Sequence, residues 1–72
     1  MKSSTKRALN ALESQATAIL SKLEEILQES QEHLDELDPD DQKLEDAEEV
    51  VATLEDTIAH MEEVISSLES FV

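Results

Sequence analysis

Seventy-two residues make a small unit, below the size at which one core supplies comfortable stability, so a staple or a partner is expected. The chain has no cysteine, no glycine, one proline and Phe71 as its single aromatic, which excludes disulfides, thiolate metal sites, glycine-built phosphate loops and base-stacking platforms, and strongly favours helix over strand. Nineteen acidic residues against five basic ones give a formal net charge of −14, a balance that repels nucleic acid and anionic lipid and attracts basic proteins.

That charge is uneven along the chain. Residues 1–12 carry Lys2, Lys6 and Arg7 with no acid, whereas residues 13–72 carry Lys22 and Lys43 against all nineteen acids, a short basic foot on an acidic rod. The foot has the charge of an export signal's first segment, but Asn10, Glu13, Ser14 and Gln15 interrupt any apolar run behind it. No stretch approaches the ~20 apolar residues of a membrane span. The expectation is a soluble, cytoplasmic protein with no membrane partner.

Ser4 or Thr5 is placed to cap a first helix that reaches about Leu37. Its apolar stripe reads Leu9, Leu12, Ala16, Ile19, Leu23, Ile26 and Leu37, with a second row, Leu20, Leu27 and Leu34, directly beside it. At Asp38-Pro39-Asp40-Asp41 the proline disfavours helical geometry in Asp38 and suits the first position of a new helix, and the aspartates suit the positive end of its dipole. The turn is therefore expected at Asp38, with a second helix from Pro39 to about Phe71. Both helices then run for about 33 residues, ~50 Å at 1.5 Å per residue. Matched lengths and a tight turn imply an antiparallel hairpin, and Lys6 and Arg7 should then lie near Glu62, Glu63 and Glu69.

The second helix has the clearest pattern. Leu44, Val51, Ile58, Ile65 and Val72 alternate with Ala47, Leu54, Met61 and Leu68 in an unbroken 3-4 spacing, and Val50, Val64 and Phe71 widen the face. Each helix thus offers about three apolar positions per heptad, more than a two-stranded seam needs and typical of a bundle. The fold expected is all-α, a single helical-hairpin domain that dimerises into a four-helix bundle. Its core and self-association residues are Leu20, Leu23, Leu27, Leu34, Leu44, Val51, Leu54, Ile58, Met61, Ile65 and Leu68. Two alternatives stand beside it: a hairpin completed by a different protein, and a parallel two-stranded coiled coil, which branched residues at Val51, Ile58, Ile65 and Val72 also suit.

Candidate chemistry is sparse. His33 and Glu36, like His60 and Glu63, share one helix face, but bundle di-metal sites use the reverse order, Glu-x-x-His, and Ser30 and Thr57 stand where that glutamate would be. His60, beside Asp56 and Glu63, reads as an exposed ion pair. His33 reads as a boundary residue near the turn, with Ser30 in a small layer opposite Ala47 and Leu44. No serine has a histidine and a carboxylate arranged around it, and the acids lie on a convex wet face without a pocket. The chain reads as a non-enzyme without cofactor or metal.

The sharpest feature is a double acidic ladder, Glu48/Glu49, Glu55/Asp56, Glu62/Glu63 and Glu69, expected to bind a partner. Three functional readings follow. The first is an acidic hairpin that self-associates and binds another protein through this ladder or through spare apolar surface. The second is an inhibitor, of the kind phages and mobile elements make, that mimics nucleic acid and occupies a basic DNA- or RNA-binding protein. The third is a structural or adaptor subunit of a larger coiled-coil complex, its acidity serving only solvation or salt adaptation.

Overall fold

With no glycine and with proline confined to position 39, nothing interrupts the helix-forming run before the turn. The computed structural model describes residues 2–71 and contains two helices, α1 (Ser3–Glu36) and α2 (Leu44–Glu69), packed against each other as an antiparallel hairpin. Its Cα extents are 58 × 14 × 12 Å, a rod two helices wide and one helix deep. No described helix is long and apolar enough to cross a membrane.

Both helix starts differ from the expected ones. The extended residue before α1 is Lys2, whose carbonyl accepts the Lys6 N–H at 3.0 Å, so Ser4 and Thr5 sit inside the first turn instead of capping it. Neither is followed three residues later by Glu or Gln, so no reciprocal capping box holds the start there. α1 ends on schedule: Leu37 turns extended (φ −78°, ψ 140°), two residues ahead of Pro39, whose ring disfavours continuing the helix through Asp38. Pro39, however, does not open α2. The Asp41 N–H donates to the Asp38 carbonyl at 2.9 Å, and Asp41 in turn accepts the Lys43 N–H on its carboxylate at 2.8 Å and the Leu44 N–H on its carbonyl at 3.1 Å. Asp41 thereby performs the capping, and Pro39 and Asp40 are absorbed into the turn. The helices are accordingly 34 and 26 residues long, not matched.

The seam between them is an uninterrupted heptad on both sides. Among the described residues, α1 turns Leu9, Glu13, Ala16, Leu20, Leu23, Leu27, Ser30 and Leu34 inward, and Leu37 just beyond it continues the row. α2 answers with Leu44, Ala47, Val51, Leu54, Ile58, Met61, Ile65 and Leu68; Val72, the expected last member, lies outside the described residues. The residues expected to form the core are all buried or half-buried. Ala16, Val51, Ile58 and Ile65 are only 7 to 9 % exposed, and among the described residues no large side chain is completely buried, as a two-helix rod one layer deep must leave its seam half open.

One assignment within α1 is reversed. Leu12, Ile19 and Ile26, read as part of the main stripe, stand outside the seam, while the supposed flanking row Leu20, Leu27 and Leu34 is inside it. The competing arrangement would have pressed His33, which is seven residues from Ile26 and shares its row, against α2. Burying that imidazole without a partner is unfavourable. The chosen seam carries Leu34 at that level instead, and takes with it Glu13, which sits near the open end. Glu13 is the weak layer. Glu13→Leu is expected to stabilise the hairpin by ~1 kcal/mol and raise the thermal midpoint by ~5 °C, measured by the 222 nm circular dichroism of a heated sample.

Lys6 and Arg7 are exposed, and among the described residues they form no ion pair within 4.0 Å with Glu62, Glu63 or Glu69. An exposed pair of long side chains gains too little to hold either of them out of water.

Candidate functional site

Three rows on each helix decide what this rod presents. The row beside the seam on α1 is Leu12, Ile19, Ile26, His33; the corresponding row on α2 is Val50, Thr57, Val64, with Phe71 one heptad further on. A cleft of about 470 Å³ near the turn shows how the two relate: Ile26 and His33 line it from one side, Val50 and Lys43 from the other, with Ser30 and Ala47 between them and Glu29 and Asp46 at its edge. Both rows therefore border the same broad face. Stepping one heptad at a time towards the open end brings Ile19 level with Thr57, and Leu12 level with Val64. The large apolar members of this face, Leu12, Ile19, Ile26, Val50, Val64 and Phe71, are 47 to 51 % exposed.

The cleft follows from side-chain size. Ser30 and Ala47 are both half-buried in the seam, and as a pair of small residues they leave a hollow between the helices. This is the small layer expected opposite His33; the imidazole itself is exposed at its rim. Among the described residues the side-chain walls of the apolar face carry little charge towards the open end, where Gln15, Thr53, His60 and Ser67 flank it with Lys22.

The acidic ladder occupies the other side. Glu48, Glu55 and Glu62 precede Val51, Ile58 and Ile65 by three residues, which on a helix puts them across the seam from the Val50 row. Glu49, Asp56 and Glu63 follow one residue later and point to the outer edge, and Glu69 continues the first row. All seven are exposed. On α1 the same side carries Glu24 among the uncharged Asn10, Thr17 and Gln31, so the acidity of this face comes mainly from α2. Sequence reasoning missed the separation of the two kinds of surface onto opposite faces; the signal for it was the seven-residue recurrence of Leu12, Ile19, Ile26 and of Val50, Val64, Phe71.

The histidines are placed without machinery around them. His60 Nδ1 lies 3.7 Å from Asp56 Oδ2, one helical turn away, with both side chains largely in solvent. Among the described residues no three His, Asp or Glu side chains converge as metal ligands would. Threonine hydroxyls are turned inward on their own helix: Thr17 and Thr57 donate to the carbonyls of Glu13 and Thr53, at 2.9 and 2.8 Å.

In comparison with known proteins, the chain matches no family model, no curated protein and no solved structure. The two faces are what a functional reading has to stand on.

Proposed function

We propose that this chain is a non-catalytic acidic hairpin that acts through protein–protein contact, joined to a second copy by its apolar face and binding a basic partner protein by its acidic one. The observation that carries this reading is the segregation itself: six large apolar residues border one face, while Glu48, Glu55, Glu62 and Glu69 run along the opposite one. Contact through the first leaves the second outward and doubles its charge. An exposed apolar strip of this length is uncommon on a protein with no partner.

A second reading is favoured by spacing. Successive acidic doublets are seven residues apart, ~10 Å along the helix, close to three phosphate steps of a DNA strand at 3.4 Å each. A basic groove built for nucleic acid would accept such a surface, which makes the protein an inhibitor of a DNA- or RNA-binding protein. A third reading, the adaptor subunit, has helices of another chain covering the apolar face.

One pull-down series separates them. The protein is immobilised beside two variants, Glu55→Lys/Glu62→Lys and Ile19→Ser/Ile26→Ser, in a lysate of its source washed at rising salt. The acidic face is the binding face if captured partners are shed by salt and lost by the lysine variant, whose helicity stays unchanged. Displacement of the same partners by duplex DNA identifies the mimic. Partners kept by the lysine variant and lost by the serine variant identify the adaptor. Retention by both variants removes all three readings.

A further inference from the structure

The apolar face is complementary to itself when reversed end for end. Thr57 stands two heptads from Phe71 in one direction and two heptads from Lys43, at the cleft, in the other, ~21 Å each way. On α1, Ile19 is likewise midway between Thr5 and His33, and level with Thr57. Rotating one hairpin by 180° about a line through Ile19 and Thr57 therefore lays Val64 on Val50, Leu12 on Ile26, and Phe71 on the cleft formed by Ser30 and Ala47. The single aromatic of the chain, half exposed at one end, meets the hollow lined by Ser30 and Ala47. The central layer suits the role: the Thr57 hydroxyl is satisfied by the Thr53 carbonyl, so its methyl is free to pack.

Resting on the self-association read above, we propose that a second copy of this chain docks antiparallel on the Ile26/Val50 face, with the two-fold axis through Ile19 and Thr57 and each Phe71 seated in the other copy's cleft.

Charge decides between this and the side-by-side alternative. Residues 35–46 at the turn end carry seven acids against Lys43, whereas residues 2–12 and 64–71 at the open end carry Lys2, Lys6 and Arg7 against Glu69. Parallel stacking sets the acidic turns on one another, but antiparallel stacking sets each acidic turn beside a basic foot. The area is adequate as well. Four heptads at 1.5 Å per residue are ~42 Å, and two helices at ~10 Å each give a width of ~20 Å, hence ~800 Å² per copy and ~1,600 Å² in all, the size of an ordinary specific interface.

The antiparallel two-fold makes each helix face its own counterpart, whereas a parallel pair makes α1 face α2. Because the chain has no cysteine, single introduced thiols test this. Thr57→Cys and Ile19→Cys are each treated with a short bis-maleimide, alone and mixed, beside sedimentation of the unmodified chain. The proposal expects each variant to cross-link to itself, and the mixture to give no product that joins position 19 of one copy to position 57 of the other. A mixed product alone overturns the antiparallel arrangement while leaving self-association intact. Dimeric mass without any of these products overturns the face, and a monomeric mass removes the self-association on which the proposal rests. Phe71→Ala is expected to raise the dimer dissociation constant roughly 100-fold with helicity unchanged; an unchanged constant overturns the seating of Phe71 in the cleft.

Discussion

Ile58→Asp is expected to leave most of the chain non-helical at 25 °C. Ile58 is 9 % exposed at the middle of the seam, with the buried Val51 and Ile65 one heptad to either side. The substitution removes a buried branched side chain and puts a carboxylate between α1 and α2 with no cation in reach, since the inward residues around it are Leu20, Leu23, Leu54 and Met61. Loss of burial and desolvation of the charge together are worth about 4 kcal/mol or more. A chain of this length has ~4–10 kcal/mol of stability altogether, so the hairpin has little to spare. Ser14→Asp, an acid added at an exposed position of α1 outside both the seam and the apolar face, supplies the control and should keep nearly all of the helical signal. Circular dichroism at 222 nm reads both, and an Ile58→Asp chain as helical as its parent would show that the seam does not hold the fold.

Salt is the second large lever. Around the turn, like charges stand three or four residues apart at Glu25/Glu29, Glu29/Glu32, Glu32/Asp35, Glu32/Glu36, Glu45/Glu48, Glu45/Glu49 and Asp46/Glu49, all exposed. At 0.2–0.5 kcal/mol each, these seven pairs destabilise the helices by ~2 kcal/mol at low ionic strength. Among the described residues the ion pair within 4.0 Å is that of His60 with Asp56, so little attraction offsets the repulsion. Raising sodium chloride from about 0.01 to 1 M shortens the screening length from ~30 to ~3 Å. The thermal midpoint is then expected to rise by ~10 °C, and hydrogen exchange at low salt to be fastest in the last turns of α1 and the first turns of α2. A midpoint independent of salt would show that the acidic rows are not straining the fold.

The sequence exposed the architecture well because α2 carries one unambiguous heptad and the only proline stands beside Asp38. It could not decide which two of α1's three apolar rows face α2. The rows headed by Leu12, Leu9 and Leu20 lie side by side, so a small rotation of the helix exchanges one flank for the other, and the choice depends on what α2 would bury at His33. The start of α2 failed for a different reason. Pro39 satisfies the local rule for a first helical position, but Asp41 supplies two acceptors to the next turn and wins. The acidic ladder was legible as two adjacent rows; its position across the rod from the apolar face required the cleft shared by Ile26 and Val50.

Sedimentation equilibrium of the unmodified chain, over a dilution series from high micromolar to nanomolar at about 0.15 M salt, tests most directly whether the apolar face is a self-association surface. The expected result is a mass of twice 8.0 kDa at the upper concentrations that falls to one chain on dilution. A mass of 8.0 kDa at every concentration, with the helical signal intact, would contradict it.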